Sequence, residues 1–329
     1  MKKIAGRISG LVLFVVAWAL CAALPQVACA QDYPNKPIRV VIAGGAGSSP
    51  DIVARLLGNK ILAALGKPFV MDLKPGASGG IGAEAAAKAA PDGYTLFMLT
   101  SQLSSAAAMY TKLRYNLVED FAPISLVGTT PSLLVVNPAL PVSKLADLIA
   151  LVKPRPGVLR YGTAGVGSSS HLPAVLFAAM AKVDMLHVPY KDSPGAMLGT
   201  MTGEVGLSFQ PLTASLPSVR SGKLKALGVT GAARSALAPD LPTIAETIPG
   251  YEYMLWQGIV APAKTPPAII AKLNAEVVKA LNSPDVREQM AAIGNEPMPS
   301  TPEAYAKYIN EQVEKMKEIV RLGGIKPQD

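Results

Sequence analysis

The segment GTAGVGSSSHL places Ser168, Ser169 and Ser170 directly before His171. Serine beside histidine raises the question of nucleophilic hydrolysis, and the pattern argues against it. No G-x-S-x-G elbow is present. Sequence neighbours at a helix start do not set imidazole against hydroxyl as a catalytic triad does. His171 and His187 are the only histidines, and no third ligand stands at metal spacing from them. His171 is therefore expected at a helix terminus or in a cleft wall, and His187, in HVPY, as a packed strand residue. No catalytic residue, metal site or cofactor is expected.

A second segment, VVIAGGAGSSPDIVARLL from Val40 to Leu57, has the outline of an anion-binding loop. The P-loop pattern fails because the loop holds no Lys. The dinucleotide fingerprint fails because Gly45, Gly47 and Pro50 read G-x-G-x-x-P. Pro50 suits the first turn of a helix, where a missing N–H costs nothing. What remains is a strand feeding a glycine turn that opens a helix, whose free N–H groups favour an anion. Taken alone, the loop is equally compatible with an ordinary strand-to-helix turn. The segment LRYGTAGVGSSSHL repeats the arrangement: an apolar strand, small residues, a serine run and a helix start. Two such loops facing each other across a cleft would offer N–H and O–H donors suited to a carboxylate, which accepts several hydrogen bonds. In open α/β sheets ligands bind beyond the carboxyl ends of strands, where both loops lie.

The elements that must position these loops alternate. IRVVI, FVMDL and YTLFML are predicted strands, with a helix over Asp51–Leu65 and an alanine-rich helix within KPGASGGIGAEAAAKAAPDG. TSQLSS, after the third strand, is predicted as a polar loop. SLLVV, LRYGT, MLHV, EVGLSF and LKALGV are further strands, with helices over Lys144–Val152 and about His171–Ala181. From Pro266 onward the pattern is helical. Alternation of this kind predicts mainly parallel sheets flanked by helices, an α/β fold.

The N-terminus carries Lys2, Lys3 and Arg7, then an apolar stretch from Leu11 to Leu20, then an A-x-A signature at Ala28 and Ala30. This pattern predicts a cleaved export signal over residues 1–30, with Gln31 as the mature start. The apolar run is short for a membrane span, and Cys21 and Cys29 lie in poor lipidation contexts. Both cysteines would leave with the signal, so the mature chain would have neither a disulfide nor a thiol nucleophile. Loss of the signal leaves 299 of the 329 residues, enough for two domains, and takes the net charge from +8 to +5. The Lys and Arg residues are scattered and aromatics are few, which argues against nucleic acid as a partner. A mildly positive surface helps to collect small anions.

The chain resembles the periplasmic solute-binding proteins of the tripartite tricarboxylate transporter family, the Bug-type receptors. The resemblance runs from about Tyr33 to the C-terminus. It rests on YPNKPIRVV, DIVARLLG, PGASGGIGAEAAAKAAPDGYTL, EDFAPISLV, LLVVNPALPV, GTAGVGSSSHL, HVPYKDS, GKLKALGVT, LPTIAETIPGYEYMLWQGIVAPAKTP and KLNAEVVKAL, in that order and spacing. It implies a two-domain periplasmic binding protein fold joined by crossing strands, closing on a ligand like a flytrap. The division it implies is 31–130 plus 251–329 for domain 1 and 131–250 for domain 2. The implied role is capture of an organic carboxylate and its delivery to membrane permease subunits, with no chemistry done on the ligand and a monomer as the expected state. A ligand sensor docking onto a receptor kinase, or a secreted hydrolase, are the alternative classes.

Contacts to the ligand are expected from Ala46, Gly47, Ser48, Ser49 and Asp51 in the first loop and from Ser101 after the third strand. Thr163, Ala164, Gly165, Ser168 and Ser169 would contribute from the second domain, with Gln210 at its edge. Glycines and alanines would act through backbone N–H, serines and Thr163 through hydroxyls. Asp51 can either contact the ligand or simply favour its helix start. The family's first loop usually reads P-F-x-x-G-G-x-x-D. Here Ala43 and Gly44 replace Pro and Phe, and Ser48 and Ser49 stand where Gly is common. Lys74 and Ser78 alter the second glycine turn, SSAAAMY follows the third strand, Asp192 follows HVPYK, and Gln210 follows GLSF. The missing ring at Gly44 predicts room for a bulkier carboxylate, unless another side chain refills the space.

Overall fold

A computed structural model describes residues 33–326. The expected export signal over 1–30, with Cys21 and Cys29, lies outside the described residues.

The first half is built from β1 (Ile38–Ile42), α1 (Ser49–Leu65), β2 (Phe69–Leu73), α2 (Gly80–Ala87), β3 (Thr95–Thr100) and α3 (Ser101–Met109). The long strand β4 (Phe121–Val136) then leads into α4 (Leu145–Val152), β5 (Arg160–Thr163), α5 (Leu172–Ala181), β6 (Leu186–Pro189) and α6 (Ser193–Thr202). The chain continues through β7 (Leu207–Pro211), α7 (Leu212–Arg220) and β8 (Lys225–Val229). It returns along β9 (Met254–Pro262) and ends in α8 (Pro267–Leu281), α9 (Pro284–Ala292), β10 (Glu296–Pro297) and α10 (Pro302–Leu322).

The strand order is β2-β1-β3-β9-β4-β7-β5-β6, with β8 and β10 also paired to β4. β2, β1 and β3 run parallel and meet antiparallel β9. β6, β5 and β7 run parallel and meet antiparallel β4. These parallel strands joined through helices form the α/β arrangement that the alternation predicts. Strand β4 belongs to both groups. Phe121–Pro131 pairs with β9, whereas Ser132–Val136 pairs with β7. Pro131 has no N–H to give a ladder, and it sits where the strand changes partners.

Each element follows from local chemistry. Helix α1 starts with Pro50 in its first turn and buries Val53, Ala54, Leu57 and Ile61 on one face. It stops at Gly66, whose φ of 69° is left-handed. The segment predicted as a polar loop after β3 is helix α3. Its serines do not break the helix, because the Ser104 and Ser105 hydroxyls donate back to the Ser101 carbonyl at 2.7 and 3.3 Å. Leu103, Ala106 and Met109 are buried.

The last helix, α10, binds the two groups of strands together. Tyr305, Ile309 and Val313 pack with Phe97, Leu99 and Trp256. Further along the same helix, Met316, Ile319 and Val320 pack with Leu172, Val175 and Phe177. The apolar residues recur at helical spacing, so one stripe serves both cores. No helix of the described residues is long and apolar enough to cross a membrane.

Candidate functional site

The carboxyl ends of β1, β3 and β5 open onto one cleft of about 700 Å³. Its first wall comes from the β1–α1 loop and the start of α3, its second from the loop after β5 and the starts of α6 and α7. Thr130 of β4 and Leu255, Trp256 and Gln257 of β9 contribute from the strands that join the two groups, with Tyr253 just before β9 and Pro211 at the end of β7. Among the residues foreseen as ligand contacts, Ser48, Ser49, Ser101, Ala164, Ser168 and Ser169 lie in the cleft wall. Ala46, Gly47, Asp51, Thr163, Gly165 and Gln210 do not.

Their partners explain the division. Asp51 is buried; its carboxylate accepts the Gly47 N–H at 2.9 Å and pairs with Arg55 Nε at 2.9 Å. It therefore holds the turn around Gly47, whose φ is 77°. Thr163 is buried, with its hydroxyl against His187 Nε2 and accepting from the Gly165 N–H at 3.1 Å. Ser170 Oγ accepts from the Ala164 N–H at 2.9 Å. The backbone donors of Gly47, Ala164 and Gly165, expected to face a ligand, are thus engaged inside their own loops. Gln210 is buried and donates to Ser208 Oγ at 3.1 Å.

The hydroxyls facing the cleft differ in freedom. Ser168 Oγ accepts the His171 N–H at 3.2 Å and lies 3.1 Å from Ser170 Oγ. Ser169 is exposed in the cleft wall. Ser49 is exposed as well, and its oxygen accepts from Gln257 Nε2 at 3.2 Å and Asn295 Nδ2 at 2.9 Å. Ser48 Oγ is buried without a partner. It fills part of the space beside Gly44, since a Cβ added there would lie 2.7 Å from it. The room expected from the missing ring is thus partly refilled.

Two helices begin at the first wall without a side-chain cap. Ser48 precedes α1 and Thr100 precedes α3, both extended, and neither side chain bonds back to the helix. Such starts present backbone donors and the positive end of the helix dipole. Sequence reasoning missed Lys191, an exposed cation in the second wall. Asp192 beside it is occupied, accepting the Gly195 N–H at 2.8 Å as the cap of α6. It also missed Gln257 and Asn295, and the apolar surface of Met109, Tyr110, Leu255, Trp256 and Ile293. The Lys191 signal was present in HVPYKDS, next to a residue that departs from the family pattern.

The histidines stand apart from this cleft. His171 Nδ1 accepts the Gly167 N–H at 3.1 Å, which sets the neutral ring with its proton on Nε2. The rings of His171 and His187 lie 4.3 Å apart, and Tyr161 stacks on His187 at 5.1 Å. Burial, then the neighbouring His187, pushes His171 down to about 4. Burial lowers His187 as well. Ser168 meets the backbone N–H of His171 and not its ring. Among the described residues no group of three or more His, Cys, Asp or Glu is placed to hold a metal ion.

The family model of the tripartite tricarboxylate transporter family receptor matches residues 53–325. The protein BugT of Bordetella pertussis is 35% identical over 300 residues, covering 90% of this chain and 92% of its own. A Rhodopseudomonas palustris protein solved with adipate superposes with a TM-score of 0.76 at 33% identity, over 90% of this chain and 100% of its own. The periplasmic binding protein BugD superposes with a TM-score of 0.73 at 31% identity, over 90% and 100%.

Proposed function

Because the chain belongs to the tripartite tricarboxylate transporter receptor family, a family of transport receptors and not of enzymes, we propose that it captures an organic carboxylate in the periplasm and hands it to membrane permease subunits. The observation that carries this reading is the composition of the cleft. One wall offers the Ser49 hydroxyl and two uncapped helix starts, and the other offers Ser169 and Lys191. That set consists of donors and positive potential, which suits an anionic group. The two walls belong to the two proposed domains, 31–130 plus 251–329 and 131–250. These would move about β4 and the approach to β9. The export signal proposed for residues 1–30 delivers the chain to the compartment where the periplasmic relatives act.

The cleft also supports a ligand with an apolar body. Met109, Leu255, Trp256 and Ile293 supply apolar wall beside the donors. Burying ligand methylenes there gains about 0.8 kcal/mol each. The proposed ligand is accordingly a medium-chain or aromatic acid, or a diacid of the length of the adipate bound by the Rhodopseudomonas relative, with Lys191 available to a second carboxylate.

A thermal-shift panel of mono- and dicarboxylates tests the reading. An acid at a hundred times its Kd stabilises the fold by about 2.7 kcal/mol, a readily measured rise in melting temperature. Uptake of the same acid should fall in a strain lacking the protein. A panel in which no acid shifts the melting temperature would count against the carboxylate receptor.

A further inference from the structure

Within the carboxylate-receptor reading, on which this inference rests, we propose that Gln257 and Asn295 are positioning residues that turn Ser49 into a donor-only hydroxyl aimed at the ligand. A serine hydroxyl has two lone pairs and one proton. Both lone pairs of Ser49 are filled, by Gln257 Nε2 at 3.2 Å and Asn295 Nδ2 at 2.9 Å. The second hydrogen of Gln257 Nε2 goes to Asn295 Oδ1 at 2.7 Å. Among the described residues no acceptor takes the Ser49 proton. Ser49 is exposed in the cleft wall, so that proton faces the ligand space.

Burial and strand pairing hold the two amides in this arrangement, in which Gln257 bonds through Nε2 alone and its Oε1 is buried without a partner. Gln257 is 4% exposed and Asn295 2%. Turning the Gln257 amide alone would set its oxygen against Asn295 Oδ1, two acceptors face to face. Gln257 is fixed in β9 between Thr100 of β3 and Gly128 of β4. Asn295 follows Gly294, a left-handed residue (φ 74°) beyond α9. Gln257 and Asn295 lie 208 and 246 residues from Ser49, so only the completed fold assembles the three side chains. The consequence is chemical selectivity. Ser49 accepts nothing further, so it favours a carboxylate oxygen and gives no bond to an ammonium or hydroxyl donor placed at the same point.

The test is a double-mutant cycle read by calorimetry. The probe is whichever of adipate, malate, benzoate and octanoate binds the wild-type chain most tightly, measured alongside melting temperature. A hydrogen bond to a charged group is worth roughly ten- to hundredfold in affinity, so Ser49→Ala should weaken the acid by that factor while the chain stays folded. Ser49→Thr, which keeps the hydroxyl, should restore most of it. Asn295→Ala, or Gln257→Leu if the former does not fold, should weaken the acid in the wild-type background. It should have no further effect on top of Ser49→Ala, because a residue acting through another loses its effect when that residue is gone. Full wild-type affinity in Ser49→Ala overturns the proposal, as does an Asn295 effect that persists undiminished in the Ser49→Ala background. Failure of all four acids to bind the wild-type chain would instead overturn the carboxylate-receptor reading itself.

Discussion

Asp51 separates two roles that a first-loop carboxylate can play, and its removal distinguishes them. In the structure it is a buried organiser and not part of the cleft wall. Asp51→Ala removes the acceptor of the Gly47 N–H, a bond to a charged group worth about 1.5–3 kcal/mol. It also removes the pair with Arg55, whose side chain is half exposed, so that loss is only about 0.3–0.5 kcal/mol. The helix-dipole contribution at the start of α1 adds about 0.3–1 kcal/mol. The sum is about 2–4.5 kcal/mol, and at roughly 2–4 °C per kcal/mol the melting temperature should drop by about 4–18 °C. Asp51→Asn keeps an acceptor for Gly47 and should lose about half as much. Removing a negative charge near an anion site should leave acid affinity unchanged or improved in Asp51→Asn. Melting curves and calorimetry on both variants provide the check. A loss of about tenfold or more in acid affinity at unchanged melting temperature would refute the organiser role and place Asp51 in contact with the ligand.

Two other outcomes follow from the geometry. The unfolded chain binds a proton at His171 near 6.5, whereas the folded chain does so only at about 4. The His171 contribution to stability should therefore be level above pH 6.5 and fall on acidification towards pH 4, by an amount on the order of 3 kcal/mol. His171→Phe should reduce the difference between melting curves at pH 7.5 and 4.5, leaving the smaller part that His187 contributes in the same direction, and an unchanged pH slope in that variant would contradict the assignment. Gly44→Phe should cost about 1–3 kcal/mol by overpacking against the Ser48 hydroxyl. Adding Ser48→Gly should recover stability while narrowing the ligand range to smaller acids. Purely additive melting-temperature changes would show that the two positions do not share space.

The parts of the molecule legible in the sequence are those whose signals are local. The strand, small-residue loop and helix over Ile38–Leu65 announce themselves through an apolar run, glycines, Pro50 and a helical apolar stripe. The same holds for Arg160–Ala181. β4 was only half visible, as SLLVV. Pro123 and Pro131 interrupt the rest of it: in the structure one stands at a register shift and the other where the strand changes partners. Helix α3 was hidden because serine favours turns, and its back-bonding to the Ser101 carbonyl appears only in three dimensions. In the site, the loop serines were visible and their hydrogen-bond partners were not. That the Gly47 and Ala164 N–H groups are engaged locally, and that Ser49 is held by Gln257 and Asn295, depends on side-chain placement across the fold. Asn295 carries no motif of its own; only its arrival beside Ser49 gives it a role.

The most direct measurement is isothermal titration calorimetry of the unfolded and refolded, ligand-stripped chain against a panel of organic acids and their matching primary amides. The account predicts saturable one-to-one binding of at least one acid. It also predicts at least about tenfold weaker binding of that acid's amide, because a charge-assisted bond is roughly twice as strong as a neutral one. Absence of binding across the panel, or equal affinity for acid and amide, would contradict it.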